Sequence, residues 1–168
     1  MGFLDKLRGR DDASAPQPDD DPDAVSGAGA GDDLDGIDAV EEIGTRRLNA
    51  DEEAALESVR AGYAAYGIDP ADLASITAAY DRALDDHGDD DSGAVVELLG
   101  TAVGDHLVAA GGYRWVVSTD PFGTDLAVEP PRRGVPVVTR MLVATRWLGR
   151  ERGWIDGVVG HLADIGRS

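Results

Sequence analysis

Apolar positions change their period along the chain, and the changes mark its elements. From Ser92 to Gly111 the residues Val95, Leu98, Leu99, Ala102, Val103 and Ala110 recur at three- and four-residue spacing, which predicts a helix buried on a wide face. Asp91 or Ser92 can cap its start and Gly111 can close its end. The segment Tyr113 to Thr119 is aromatic and β-branched, Asp120-Pro121-Phe122-Gly123 carries turn residues, and Leu126 and Val128 then alternate. This is a β-hairpin that follows the helix almost directly. Gly100 and Gly104 lie about one turn apart inside the helix, where each costs roughly 1 kcal/mol against Ala. Close approach of a neighbouring element is the expected compensation.

Upstream, Ile37, Val40, Ile43 and Leu48 predict a short helix. Asn49 can cap a second, with Leu56, Val59, Tyr63 and Tyr66 on one face and Gly67 as its stop. Asp69 and Pro70 read as the cap and first-turn proline of a third, with Leu73, Ile76, Tyr80 and Leu84 inward and Gly88 at its end. Asp89 to Asp91 then read as a solvated loop. Downstream of the hairpin, Val135 to Val138 predicts a third short strand, with Pro136 suited to an edge. A helix over Thr139 to Leu148, with Val138, Met141, Leu142, Thr145 and Leu148 on its inner face, precedes a last helix from Trp154 to Ile165. The expected fold class is α+β: N-terminal helices, a small antiparallel sheet of about three strands, and one or two C-terminal helices.

Composition divides the 168 residues further. Asp11 to Gly36 is rich in Asp, Pro, Gly, Ala and Ser and has almost nothing to bury, so residues 1–36 are expected to be a disordered acidic tail before a single domain at 37–168. Phe3, Leu4 and Leu7 stand opposite Lys6, Arg8 and Arg10, a basic amphipathic turn too short for more than weak membrane association. With no apolar run approaching a membrane span and no apolar leader, the expected location is the cytoplasm. A net charge of −18 disfavours nucleic acid, whose binding is driven by Lys and Arg.

No cysteine is present, which removes thiol catalysis, thiolate metal sites and disulfides. The three histidines, His87, His106 and His161, lack metal-ligand spacing, so neither a metal nor a cofactor is expected. Asp105 and His106 are consecutive on a helix and point to different faces. Asp120 suits the first turn position, whereas Asp125 has no local explanation. The glycines of the central helix lie within or after it, not before its start as a phosphate loop requires.

Charge is unevenly placed. Asn49 to Pro131 holds 17 acidic and 3 basic residues, a net of −14, while Arg132 to Ser168 holds 3 acidic and 7 basic, a net of +4. On the Thr139 to Leu148 helix and just beyond it, Arg140, Arg146, Trp147 and Arg150 fall opposite Met141 and Leu142 and make a candidate binding surface. Its partner is expected to be an acidic protein or peptide, the chain's own acidic tail included; the competing reading pairs these arginines with acidic helices of the same domain.

The run from Leu107 to Gly112, Trp115, Asp120, Gly123, the Thr124 to Val128 strand, Val135-Pro136 and the basic helix after them resembles an uncharacterised bacterial family, domain of unknown function 3806. The resemblance lies in the C-terminal half. It implies a helix-plus-hairpin module and carries no catalytic residue across. The expected function is therefore a non-catalytic protein-interaction or accessory module, because no nucleophile, base and orienting group assemble. The alternative is a small hydrolase or metal-dependent enzyme using His106 or His161 with Asp125.

Overall fold

The computed structural model describes residues 43–87, 92–121 and 123–168. The acidic tail, the basic turn at its start, the residues before Ile43, the Asp89 to Asp91 loop, the Gly88 stop and Phe122 lie outside these. The element order is β1 (Gly44–Arg46), α1 (Ala50–Arg60), α2 (Tyr63–Tyr66), α3 (Leu73–Asp86), α4 (Gly93–Gly111), β2 (Arg114–Asp120), β3 (Gly123–Glu129), α5 (Thr139–Leu148) and α6 (Trp154–Arg167). This is an α+β fold.

Local chemistry accounts for most boundaries. Asn49 and Glu52 form a reciprocal capping box at α1: the Asn49 side chain accepts from the Glu52 amide at 2.9 Å, and Glu52 Oε2 accepts from the Asn49 amide at 2.8 Å. The single helix expected from Asn49 to Tyr66 is broken at Ala61-Gly62, where Gly62 lies so close to Leu98 of α4 that an added Cβ would sit 3.0 Å from Leu98 Cδ1. Gly67, at φ 61°, ends α2 as predicted. The cap of α3 is Asp72 rather than Asp69, because Asp69, Pro70 and Ala71 form a turn of their own in which Asp69 Oδ1 accepts from the Ala71 amide. Similarly, the left-handed residue closing α4 is Gly112, one place beyond the expected Gly111.

The sheet has three antiparallel strands in the order β1-β2-β3. The hairpin register runs from Arg114 opposite Glu129 to Asp120 opposite Gly123, and Asp120 Oδ1 accepts from the Gly123 amide, which explains aspartate at that place. The third strand is not Val135 to Val138. That segment makes one isolated bridge, Val137 to Val128 of β3, before turning into α5; the third strand is β1 on the opposite edge, where a helix was expected, and Thr45 pairs with Ser118.

Helix α4 is the centre, packing against α1, α3, α5, α6 and both hairpin strands. Its 19 residues are long and apolar enough to cross a bilayer by length and composition, contrary to the expectation that no such run exists, yet 61% of the apolar window is buried within the fold. Its glycines carry the close approaches that their cost implied. An added Cβ on Gly104 would enter the indole ring of Trp115, and one on Gly100 would lie 2.7 Å from the Cα of Arg140 on α5. Gly104→Leu should therefore overpack the sheet contact and cost on the order of 1–3 kcal/mol or more, measured as a lowered urea midpoint at unchanged slope. Wild-type stability in that variant would remove close approach as the reason for the glycine.

Candidate binding cleft

Asp105 is the one carboxylate within the buried run of α4, and the fold surrounds it with donors. Arg60 of α1 makes a forked ion pair, Nε to Oδ2 at 2.8 Å and Nη2 to Oδ1 at 2.5 Å. The Tyr63 hydroxyl donates to Oδ2 at 2.8 Å and Trp115 Nε1 to Oδ1 at 2.9 Å. Four donors thus join α1, α2, α4 and β2 at one carboxylate. Burial works to raise the Asp105 pKa, but the hydrogen bonds from Arg60, Trp115 and Tyr63 outweigh it and hold the carboxyl below its ordinary range. Burial, then the Asp105 charge, pushes Tyr63 upward, so its hydroxyl remains a donor.

Between this node and the open side of the sheet lies a half-open cleft of about 240 Å³. Leu56 and Val59 of α1, Trp115 and Val117 of β2, and Leu126 of β3 supply apolar lining; Thr101, Thr124 and Thr139 supply hydroxyls. Three carboxylates and one guanidinium complete it. Glu52 is held by Arg46 at 2.6 and 2.8 Å and by the Asn49 amide, which bring its pKa to about 2. Asp125, unexplained in sequence, pairs across the β3 edge with Arg140 at 3.0 Å. Glu97 is exposed.

The predicted binding residues are not brought together. Trp147 is only 1% exposed and stacks edge-on to Tyr80 with centroids 5.9 Å apart, so it is a core residue. The inner face of α5 is Thr139, Val143 and Trp147; of the residues expected there Leu142 is half-buried against the core, while Met141, Thr145 and Leu148 are exposed. A large indole stabilises more by burial than Met141 does, and that sets the helix phase. Arg146 lies over the Trp154 ring, 5.2 Å from its centroid; Arg150 reaches the Leu84 carbonyl; Arg140 alone lines the cleft. The competing reading gains support nearby, since Arg152 pairs with Asp85 at 2.5 Å and approaches Asp81 on acidic α3.

The alternative catalytic set is also separated. His106 Nδ1 lies 2.9 Å from the Pro70 carbonyl, which can only accept, so that nitrogen carries its proton and the buried ring holds the α2–α3 turn against α4. His161 is exposed on α6, and neither histidine lines the cleft that contains Asp125. Among the described residues, no three His, Asp or Glu are grouped as a metal site.

Thr101, Thr139, Trp115 and the α1 residues escape sequence analysis as a site because the cleft gathers two to four residues from each of five elements. One signal pointed toward it, Gly100, whose cost demanded a near neighbour; a second, Asp105 as a charge in an apolar stripe, could have found it but was not read.

Removing the Asp105 charge should expose its role. Because the folded carboxyl titrates below its unfolded value, its contribution is complete above the unfolded pKa and is lost as pH falls through the folded one. Asp105→Asn should cost about 2–4 kcal/mol near pH 7, through the stranded Arg60, and the deficit should shrink toward pH 3. Urea denaturation at both pH values measures this. An equal deficit at both would assign the loss to packing, not charge.

No curated protein and no solved structure matches the chain. The family described as domain of unknown function (DUF3806) matches residues 72–156, or 85 of the 168, spanning α3 to the start of α6. The match includes Asp105, Trp115, Asp125, Thr139 and Arg140 but not α1, which supplies Arg60 and one wall of the cleft. The chain belongs to the DUF3806 family.

Proposed function

We propose that this domain is a non-catalytic binding module whose ligand seats in the cleft between α1, α4, the hairpin and the first turn of α5. The observation that carries the proposal is the combination of an apolar floor with charged groups that, the exposed Glu97 apart, are already engaged within the protein. Asp105 is saturated by Arg60, Tyr63 and Trp115, Glu52 by Arg46 and Asn49, and Asp125 pairs with Arg140. Such groups hold shape and orient a ligand, whereas a general base needs a free lone pair within reach of the reacting proton. The cleft is slightly smaller than the roughly 300–1,000 Å³ of drug-sized sites, which suits a small molecule or one side chain of a partner.

An acidic partner docked on Arg140, Arg146, Trp147 and Arg150 loses its central anchor because Trp147 is buried. The cleft takes over as the contact site, keeping Arg140 at its wall.

A protein-observed NMR screen of small apolar fragments against the full ¹⁵N-labelled chain tests the proposal. Hits should shift the Trp115 indole resonance and should be abolished by Ala55→Trp, which fills the cleft from an exposed position on α1. The variant should melt within a few degrees of the parent, as surface changes usually do. Hits that bind the filled variant equally well would place the site elsewhere.

A further inference from the structure

Helix α5 begins at the cleft without a cap. Its N-cap residue is Val138, whose side chain offers no acceptor, and no acidic residue stands in its first turn. The first-turn amides of an α-helix have no partner within the helix, and the positive end of its dipole adds to them. In ten residues α5 is long enough for that field to count. Helix starts alone are commonplace; a second feature singles this one out.

Thr139, its first residue, is 1% exposed, lines the cleft, and its hydroxyl has no hydrogen-bond partner among the described residues. The cleft's other two threonines are engaged: Thr101 donates to the Glu97 carbonyl, and Thr124 shares a hydrogen bond with Thr119. Beside Thr139, the amide nitrogen of Arg140 faces Gly100 so closely that an added Cβ there would sit 3.0 Å from it. The missing side chain lets the backbone of α4 pack directly against Arg140 at that end of the helix, so Thr139 is the group left facing the cleft. The Arg140 guanidinium, half exposed and held by the single contact to Asp125, lies within the same lining.

From this arrangement we infer that the cleft recognises a carboxylate on an apolar body, with the anion at the start of α5. Resting on the binding reading above, the inference names the ligand class for the same site. The Thr139 hydroxyl donates to the carboxylate at the positive end of α5, Arg140 supplies charge through the N–H groups its contact to Asp125 leaves free, and the apolar body packs on Leu56, Val59, Trp115 and Leu126. The acids of the lining do not reverse this preference. Glu52 is neutralised by Arg46, Asp125 uses one Nη of Arg140 and leaves its other N–H groups for the ligand, and the Glu97 carboxylate is exposed to solvent. A free apolar acid and the C-terminal residue of a peptide offer the same chemistry.

The test uses the full ¹⁵N-labelled chain and three probes: 4-methylpentanoate, its neutral isostere 4-methylpentanamide, and acetyl-Ala-Ala-Leu with a free C-terminus. The acid should shift the amides of Thr139, Arg140 and Met141 together with the Trp115 indole. It should bind about tenfold more tightly than the amide, the discrimination expected of one charge-assisted hydrogen-bond set. Thr139→Val should weaken the acid about fivefold while leaving the amide's affinity unchanged, a split that general damage to the fold would not produce. Tighter binding of the peptide than of the acid identifies a chain end as the source, and the reverse identifies a free acid; both support carboxylate recognition. Equal affinity of acid and amide overturns it and leaves the cleft as a binding site. Failure of all three probes to shift any cleft resonance overturns both.

Discussion

A carboxylate placed in an apolar helix sets the terms for the rest of this fold. Removing Asp105 from water costs several kcal/mol even after relaxation, and that cost is offset only if donors arrive in good geometry. Arg60, Tyr63 and Trp115 arrive from three different elements. Their convergence fixes where α1 and the sheet stand relative to α4. Gly104 precedes Asp105 and admits the Trp115 ring against the helix backbone, so close packing and charge satisfaction reinforce each other at adjacent residues. The cleft follows from this frame: α1 and β2 meet at Asp105 and separate beyond it, leaving Leu56, Val59 and Val117 as lining.

The other side of α4 is held differently. Tyr80 meets Trp147 and Trp154 edge-on at 5.9 and 5.7 Å, and Arg146 covers Trp154, so α3, α5 and α6 interlock through aromatic surface. Because Trp147 anchors α5 there, the helix start is held beside Gly100, where Thr139 and Arg140 become part of the cleft. Two unlike contacts, one ionic and one aromatic, thus fix the two walls of a single cavity.

Much of this frame was legible in sequence, and the exceptions have physical causes. Helix α4 and the hairpin were readable because their periods are long and distinct, and the close approaches at Gly100 and Gly104 followed from the cost of glycine in a helix. Strand β1 was not readable: three residues show no period, and Gly44 to Arg46 become a strand only by pairing with Val117 to Thr119. The cap of α3 was misplaced because Asp69 and Asp72 are equivalent signals until the Pro70 turn selects between them. The phase of α5 was missed because Met141 and Leu148 match a helical face as well as Val143 does; only a cavity large enough for Trp147 decides between them. The role of Asp105 was not readable, because its partners lie up to 45 residues away and no local pattern names them. The cleft shares that limitation, since each of its walls is supplied by a separate element.

Native-state hydrogen exchange on Asp105→Asn tests the central claim most directly, because the claim is that one carboxylate couples the α1–α2 layer to the sheet. If it does, amides of α1 and β2 should lose protection together, while those of α3, α5 and α6 keep theirs until global unfolding. Loss confined to α1, with β2 protected as in the parent, would show that Trp115 is held by packing on Gly104 alone and that the carboxylate is not the coupling element.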